Sequence, residues 1–577
     1  MEKELGTTYE FIGGNNPTRI GASCSILEHK FQKGVPLTRI MFDLGMLIAP
    51  EGTEVDVVIP DVREYLGTET HHPEIKLDAI FISHGHEDHL GGYVRLAQAG
   101  YTFPPTYASK ETLEMLKTFL KEAGVDLTTK DWENKFIEIK SGQTVKFNGV
   151  EVEAISMSHT TSGTLGFHSL TTINGEVETG ILHPGDYNLR NVIVGEGFNK
   201  EAIEDLVRRK PVTHVILDST STGSSNKNMI SYDEGYKNYI KIFQQHSEKQ
   251  IFTPVISGSV QNWGNILRAA KATGRKVYID GYRLGLVFQA MQNAGMHEFD
   301  DVVFTGDVNK YLELPASERL VLFSGAMGEE HSGLYKLAQQ EKVKSSPKDK
   351  DSTKNKTKKN KAKKTGHPYF TIDDNTLLVL SQRGIKELSF NELAKYANVI
   401  SSLGATVIIT EADDLLGKFQ TERLQGSGHA CSEETLEFLL IVVNAQKKYN
   451  DITITCIPTH GNTSQLLNTA KIAEKAGLKF FIAMNSNVLK LTKNDEKQTT
   501  KLDDHIMDHW IGVCEVSDNT SPMQEYIYVL VDTDFKKQGT PFKHIVRKKK
   551  FKKYNKSKSS PKDVKDIVKK RGRFGGR

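Results

Sequence analysis

Four side chains able to ligate a metal fall within six residues, in the run His84-Gly-His86-Glu-Asp88-His89. The apolar stretch Leu77-Asp-Ala-Ile-Phe-Ile82 leads straight into it, so the cluster stands at the end of an expected buried strand. Gly85 is expected to let the chain turn sharply, so that His84 and His86 point one way and Asp88 and His89 another. Two ligand pairs imply two ions, and a pair of ions implies hydrolysis of a phosphate ester or an amide. The plain alternative is a polar loop with chance histidines, and the partners found further along the chain argue against it.

Matching groups recur in similar settings. His159 follows an alternating apolar strand expected over Val150–Met157. Asp186 follows the strand Ile181–His183, in Leu182-His-Pro-Gly-Asp186. His460 follows the strand Ile452–Ile457, in Pro458-Thr-His460-Gly. Loops past strand ends are where a rigid scaffold gathers reacting groups. A lone histidine after a strand is usually structural, but four such features sharing one chemistry point to one site.

The elements that must position these residues read as α/β. Over the first 220 residues the apolar pattern predicts strands at Tyr9–Ile12, Ala22–Leu27, Arg39–Asp43, Ala79–Ser83, Val150–Met157, Gly180–His183 and His214–Asp218. Helices are expected at His89–Ala99, Lys110–Ala123 and Lys200–Arg208. From about 222 to 335 the pattern becomes regularly βα, with strands near Ile251–Val255, Lys276–Ile279 and Leu320–Phe323. That reads as a separate parallel-sheet domain. Structure resumes with the strand Thr376–Leu380, the helix Asn391–Leu403 and the strand Thr406–Thr410. The helices Ser432–Lys447 and Thr463–Ala476, the strand Lys479–Ala483 and late strands near Ile511–Glu515 and Tyr526–Val531 follow.

Charge is unevenly spread. The chain of 577 residues has a net charge of +3, yet 342–364 alone carries +9 and 536–577 carries +16. The remaining body is therefore at −22. The stretch 342–364 has almost no apolar residues and is expected to be a disordered insertion, and the tail from about 536 is expected to be mostly disordered, with a short helix at Asp563–Lys570. Concentrated lysine on an acidic body suggests polyanion attraction, against the bland reading that it only aids solubility. No apolar run of eighteen residues is present, so no membrane span is expected. The four cysteines form no CxxC, and the opening Met1-Glu-Lys-Glu-Leu-Gly lacks a signal or transit pattern. A cytoplasmic location is the expectation.

In these motifs the sequence resembles the metallo-β-lactamase fold, and within it the β-CASP nucleases, most closely ribonuclease J. The family's His-x-His-x-Asp-His signature is His84, His86, Asp88 and His89, and its earlier acid matches Asp43 in Met41-Phe-Asp43-Leu-Gly45. Its third-motif histidine matches His159 and its bridging acid Asp186. Motif A matches Asp218 in Leu217-Asp218-Ser-Thr, motif B matches Ser427-Gly-His429-Ala, and motif C matches Pro458-Thr-His460-Gly. The resemblance runs over about 8–485 with every motif in order. It implies an αββα sandwich with an inserted parallel-sheet β-CASP domain that caps the metal cleft. The implied division is 1–221 and 431–495 for the two parts of the sandwich, and 222–430 for the insertion with its lysine-rich stretch 341–366. A small extension at 496–535 and the basic tail 536–577 complete it.

The same resemblance implies two Zn²⁺, with Mn²⁺ as the other candidate. One ion takes His84, His86 and His159, the other takes Asp88, His89 and His460, and Asp186 bridges them. His429 is implied as general acid, and Asp43 and Asp218 as groups that orient ligands or loops; Asp88 and Asp218 are also counted with the catalytic set. The implied reaction is RNA phosphodiester cleavage, 5′-to-3′ exonucleolytic with some endonuclease activity, in RNA processing or decay, by a homodimer or homotetramer. Whether a partner protein docks on the tail is left open.

Gly-rich turns at Ser257-Gly258-Ser259 and Ser324-Gly325 are candidates to hold a substrate phosphate through backbone N–H groups, although ordinary βα turns look the same. His183 is a lesser candidate for a direct role. His71, His72 and His168 read as ordinary polar residues, and His505 and His509 lack the glutamate of a zincin. The chain departs from the family where His460-Gly-Asn462 replaces His-Gly-Glu. Competing readings are a DNA nuclease, a small-molecule metallohydrolase with an incidental tail, and a nucleic-acid scaffold with a silent metal site.

Overall fold

The computed structural model describes residues 5–16, 20–48, 57–68, 72–73, 75–224, 230–340, 367–381, 390–410, 419–450, 452–485, 488–491, 508–516, 525–533 and 549–551. The lysine-rich stretch 341–366, His71, His505 and nearly all of the basic tail, with the helix expected at 563–570, lie outside the described residues. The chain divides into two units. The first holds 1–191, 195–227 and 427–577, and the second holds 192–194 and 228–426. The boundary leaves Ser427–Ala430, with His429, in the first unit.

The first unit is built on two seven-stranded sheets. One runs Phe136–Glu138, Thr106–Ala108, Ala79–Phe81, Thr38–Phe42, Cys24–Lys30, Gly6–Gly13, Val488–Leu491. The other runs Thr144–Phe147, Val150–Ser156, Leu165–Ile173, Glu176–His183, His214–Asp218, Thr455–Thr459, Lys479–Phe480. Between them lies a core that includes Tyr9, Phe42, Phe81, Phe167, Ile181 and Ile457. Outer helices complete the αββα sandwich. Lys200–Arg209, Ser432–Tyr449 and Thr463–Lys475 bury Ile203, Leu206, Phe438, Val442 and Ala473 against the second sheet. On the first sheet, Tyr93 of the helix Glu87–Gln98 reaches Thr106 Oγ1 at 3.1 Å and stacks on Phe103.

Most expected elements are present within a residue or two, but the nine-residue strand Leu165–Ile173 was not expected. Its sequence, LGFHSLTTI, mixes Gly, His, Ser and Thr into the apolar pattern and so hides the alternation. Its polar groups are satisfied inside the sandwich. Thr171 Oγ1 lies 2.7 Å from Thr179 Oγ1 in its own sheet and 2.9 Å from Thr7 Oγ1 in the other. The late strands Asp508–Val516 and Glu525–Thr533 pair with each other, and Asp508–Val516 also pairs antiparallel with Val57–Pro60. Lys549–Phe551, inside the expected disordered tail, adds a short strand to Glu525–Thr533.

The second unit is a parallel six-stranded sheet in the order Lys276–Asp280, Arg319–Phe323, Gln250–Pro254, Thr376–Leu380, Thr406–Thr410, Gln420–Glu422. The inner strands Arg319–Phe323, Thr376–Leu380 and Thr406–Thr410 are runs of buried β-branched and aliphatic residues, as a sheet covered on both faces requires.

His168 sits fully buried in the second sheet, where its Nε2–H donates to Pro211 O at 3.1 Å. Burial, together with nearby Lys210 and Arg209, pushes its pKa down to about 4. The unfolded chain takes up this proton near pH 6.5, and the folded chain refuses it down to about 4, so stability is lost as pH falls between those values. His168→Gln keeps an N–H donor for Pro211 and removes the titration. Its Tm should fall less between pH 7 and 5 than that of the wild type, and equal falls would show that His168 has no part in acid sensitivity.

Candidate metal centre

The cluster that opens the sequence does not sit wholly in a turn. The helix Glu87–Gln98 starts inside it, so His84 and His86 precede the helix while Asp88 and His89 occupy its first turn. A carboxylate there is favoured by the helix's exposed N–H groups. Gly85 is needed for room rather than for backbone freedom, since a Cβ there would come 2.4 Å from Met115 Sδ. The residue before the strand Cys24–Lys30 and the loop after the strand Thr38–Phe42 both dock on this turn. Ser23 N–H donates to Asp88 O at 2.8 Å and Leu44 N–H to His89 O at 2.8 Å. Gly45 fits so closely that a Cβ would fall 1.7 Å from Asp88 O.

Residues from six separated stretches of the first unit then converge. His84, His86 and His159 form one group of potential ligand atoms, and Asp88, His89, Asp186 and His460 form another. A third, overlapping group is Asp186, Asp218, His429 and His460. Within each group the atoms lie within 4.8 Å of one another. In the first, His86 Nδ1 is 3.0 Å from His84 Nε2 and 3.1 Å from His159 Nε2. Two nitrogens bound to one zinc at near-tetrahedral angles would stand roughly 3.3 Å apart. In the second, His89 Nε2 is 3.1 Å from Asp186 Oδ2, and His460 Nε2 is 3.3 Å from Asp88 Oδ2. The same Asp186 Oδ2 lies 4.0 Å from His84 Nε2, so one carboxylate faces both groups.

The second nitrogen of each ring decides which nitrogen can act as a ligand. Asp43 Oδ2 accepts from His89 Nδ1–H at 2.8 Å and from the Ser83 hydroxyl at 2.9 Å. Ser83 Oγ, its own proton committed to Asp43, accepts from His84 Nδ1–H at 3.0 Å. Gly428 O accepts from His159 Nδ1–H at 2.9 Å and from Asn188 Nδ2 at 2.7 Å. The Thr220 hydroxyl donates to His460 O at 2.9 Å and accepts from His460 Nδ1–H at 2.8 Å. In four rings, therefore, Nδ1 carries a proton and Nε2 is the nitrogen turned toward the cluster. His460 Nε2 is buried and makes no hydrogen bond. These are the features a metal site needs, and the residues fit one.

Electrostatics divides the nest. Burial, and then the neighbouring imidazoles, push His84 and His159 well below the ordinary histidine range, and burial lowers His86 as well, so this trio is neutral. Burial opposes charge on His89 too, but Asp186, Asp43 and Asp88 outweigh it and raise its pKa well above the usual range. His460 rises to about 10 against burial, through Asp186, Asp218 and Asp88. The carboxyls of Asp88, Asp186 and Asp218 are held below their usual range despite burial, chiefly by the histidines they face. Four carboxylates in one nest require compensating positive charge. A divalent cation supplies it more compactly than protonated imidazoles.

His429 is set apart from the ligand trio. Its Nδ1–H donates to Asp218 Oδ2 at 2.8 Å, and the same nitrogen is 3.8 Å from Asp186 Oδ2. Its side chain keeps 19% of its surface open, where His84 keeps none. Asp218 and Asp186 raise its pKa against burial. Gly428 allows the close approach, since a Cβ there would lie 2.8 Å from His159 Cε1. His183 takes no place in the three ligand groups; its Nδ1 is 3.5 Å from Tyr9 OH, and its ring stands edge-on to Phe42.

The phosphate candidates belong to the second unit. Ser257–Ser259 precede the helix Val260–Ala272, and Ser324-Gly325 follow the adjacent strand Arg319–Phe323. Gly325 has φ +117° and room only for hydrogen, with Leu334 Cβ 2.6 Å from where its own Cβ would be, so the turn explains this glycine without a ligand.

Sequence reasoning missed Asn15. This fully buried side chain ties the His460 loop to the chain at Ala483. Its Oδ1 accepts from His460 N–H at 3.0 Å and Thr459 Oγ1–H at 2.7 Å, and its Nδ2 donates to Ala483 O at 2.9 Å. Its own N–H donates to Asn485 Oδ1 at 2.8 Å. His460 needs this bracing, because its backbone is left-handed at φ +53°. The only signal was a turn-like Gly13-Gly14-Asn15-Asn16, with nothing to tie it to a residue 445 positions away.

A sandwich of this kind with histidines and aspartates gathered on its strand ends defines a metallo-β-lactamase-fold protein, and the profile of the beta-lactamase superfamily domain matches residues 59–181. Over most of its length the chain is, more particularly, ribonuclease J-like. It is 24% identical to ribonuclease J2 of Bacillus subtilis over 447 residues, which cover 76% of this chain and 67% of that protein. It is 22% identical to ribonuclease J of Mycoplasma pneumoniae over 475 residues, covering 81% of this chain and 72% of that one. A crystal structure of a protein of unknown function from Enterococcus faecalis shares the fold at TM-score 0.50 and 14% identity, with 84% of this chain and all of that one covered.

Two outcomes follow from the geometry. His86→Ala should lower the metal retained after desalting, measured by elemental analysis, with Tm little changed; unaltered metal content would remove His86 from the ligand set. Asn15→Ala strands several buried donors and acceptors, each worth about 1–3 kcal/mol. It should lower Tm and speed metal loss to a chelator. A lower Tm with unchanged metal loss would make Asn15 a fold residue only.

Proposed function

We propose that this protein is a metal-dependent ribonuclease that hydrolyses RNA phosphodiesters, working 5′-to-3′ with some endonucleolytic cleavage, in RNA processing or decay in the cytoplasm. The observation that carries the reading is the convergence of seven side chains able to ligate a metal into two adjoining groups, with Asp186 of one facing His84 of the other at 4.0 Å, beside a His429–Asp218 pair. The likeness to ribonuclease J gives the substrate class. Among the described residues no helix is long and apolar enough to cross a membrane.

His84, His86 and His159 would hold one cation, and Asp88, His89 and His460 the other, with Asp186 shared. The donor set suits zinc, and its carboxylates also suit manganese. When bound, the cations activate water near neutral pH and neutralise the phosphate oxygens. The protein's own groups do the rest. Asp43 fixes the His89 ring and, through Ser83, the His84 ring. Asp218 takes the Nδ1 proton of His429 as its hydrogen bond, which orients the ring and leaves Nε2–H for the leaving oxygen. A carboxylate partner keeps that imidazole protonated until the departing alkoxide needs the proton. The Gly-rich turns at Ser257–Ser259 and Ser324-Gly325 are proposed to take a terminal phosphate of the substrate. Assembly as a homodimer or homotetramer goes with this reading.

Incubation with end-labelled RNA and DNA bearing 5′-hydroxyl, monophosphate or triphosphate tests it. RNA should shorten from its 5′ end, and chelation should stop it. Absence of RNA cleavage with zinc, manganese and magnesium supplied would refute the proposal. His429→Ala should slow RNA cleavage by about a hundredfold while bound metal is retained. Loss of metal instead would make His429 a ligand.

A further inference from the structure

The carboxyl-end edge of the second unit's sheet carries two aromatic rings that the proposed reaction does not use. Tyr282 and Tyr369 are the most exposed large aromatic side chains among the described residues, at 73% and 52%. Tyr282 opens the helix Tyr282–Ala294 immediately past the strand Lys276–Asp280. Tyr369 is tied to the same strand end through its neighbour. His367 Nε2–H donates to Asp280 Oδ2 at 2.7 Å, and His367 Nδ1 accepts from the backbone N–H of Tyr369 at 3.3 Å and of Phe370 at 3.2 Å. The His367 ring lies 6.3 Å from the ring of Tyr369. Phe370 is sunk in the core against Phe252 and Tyr278. The His367 turn is hydrogen-bonded to the strand end and anchored by Phe370, and the two rings are exposed beside it.

The chain around this turn says what the rings are for. Gln340 is hydrogen-bonded through its side chain to Phe370 O and accepts from Ile372 N–H at 2.9 Å. Gln340, the last described residue before 341–366, is thus tied to the segment that follows it. The sequence between, 342–364, has a net charge of +9. Exposed aromatic rings offer stacking faces, and dense lysine selects a polyanion. Single-stranded nucleic acid is the polyanion that also presents unpaired base faces. The carboxyl ends of parallel strands are the usual ligand side of such a sheet.

We propose that Tyr282 and Tyr369, mounted on the Asp280–His367 pair, form a base-stacking site for single-stranded RNA. The inference rests on the ribonuclease reading for the sugar. The test uses the full-length, metal-loaded protein and a labelled, cleavage-resistant 2′-O-methyl oligonucleotide, with an abasic strand of the same length as control. Binding is followed by fluorescence anisotropy over a salt series. The double variant Tyr282→Ala, Tyr369→Ala should weaken binding of the single strand fivefold or more. It should leave abasic-strand affinity and the salt slope unchanged, and the Tyr→Phe pair should restore affinity. Unchanged affinity, or an equal loss on the abasic strand, overturns the stacking site. If the wild type cleaves RNA in either case, only this proposal fails. A wild type that neither binds nor cleaves RNA overturns the ribonuclease reading with it.

Discussion

Four aspartates, Asp43, Asp88, Asp186 and Asp218, share one largely buried nest with six imidazoles, and the first unit is arranged around that charge. Ionised carboxylates are costly to bury unless paired. Here each faces at least one histidine, and Asp186 faces several. The arrangement works only if every ring presents a chosen nitrogen. The outer acceptors, Asp43 for His89, Ser83 for His84, Gly428 O for His159 and Thr220 for His460, make that choice. A histidine free to turn would satisfy the carboxylates equally well and would not be aimed.

The fold meets this demand by ending its strands at one place. Thr38–Phe42 delivers Asp43, Ala79–Phe81 delivers Ser83 and His84, Val150–Ser156 leads to His159, Glu176–His183 leads to Asp186, and Thr455–Thr459 leads to His460. Two of the delivered residues, Asp43 at φ +58° and His460 at φ +53°, have left-handed backbones that non-glycine residues adopt at a cost. Both are held there by hydrogen bonds: Asp43 accepts from Ser83 N–H at 2.7 Å, and Asn15 accepts from His460 N–H. Glycine appears where approach is closest, at Gly45 against Asp88 and at Gly428 against His159.

Much of this was legible in the sequence because ligands must sit at strand ends in a few residue types. The run His84–His89 and the isolated His159, Asp186 and His460 carry that signature, whereas His429 follows no strand and is pointed to only by the family resemblance; the α/β class follows from the alternation of short apolar runs with helical ones. What stayed hidden shares a different property. Ser83, Asn15, Thr220 and the Gly428 carbonyl act through ordinary polar atoms, and a serine or asparagine beside a strand has many uses. The strand Leu165–Ile173 was masked because its buried threonines find partners across the sandwich, which a local pattern cannot register. The chain does bend at Gly85 as expected, but the reason only glycine fits there was hidden in the same way, since that constraint is Met115 from a distant helix.

The second unit is a parallel sheet of conventional build, and its connections rather than its core distinguish it. Its Gly-rich turns fall at the carboxyl ends of neighbouring strands, and its longest excursion is rooted by Gln340 and His367. The central claim, however, lies in the first unit: one nest holding two cations. Anomalous diffraction at the zinc and manganese edges, from crystals of the metal-loaded protein, tests it most directly. Two peaks are predicted, one among His84, His86 and His159 and one among Asp88, His89 and His460, with Asp186 between them. No peak in this nest at saturating metal, or a single peak away from the three histidines, would contradict it.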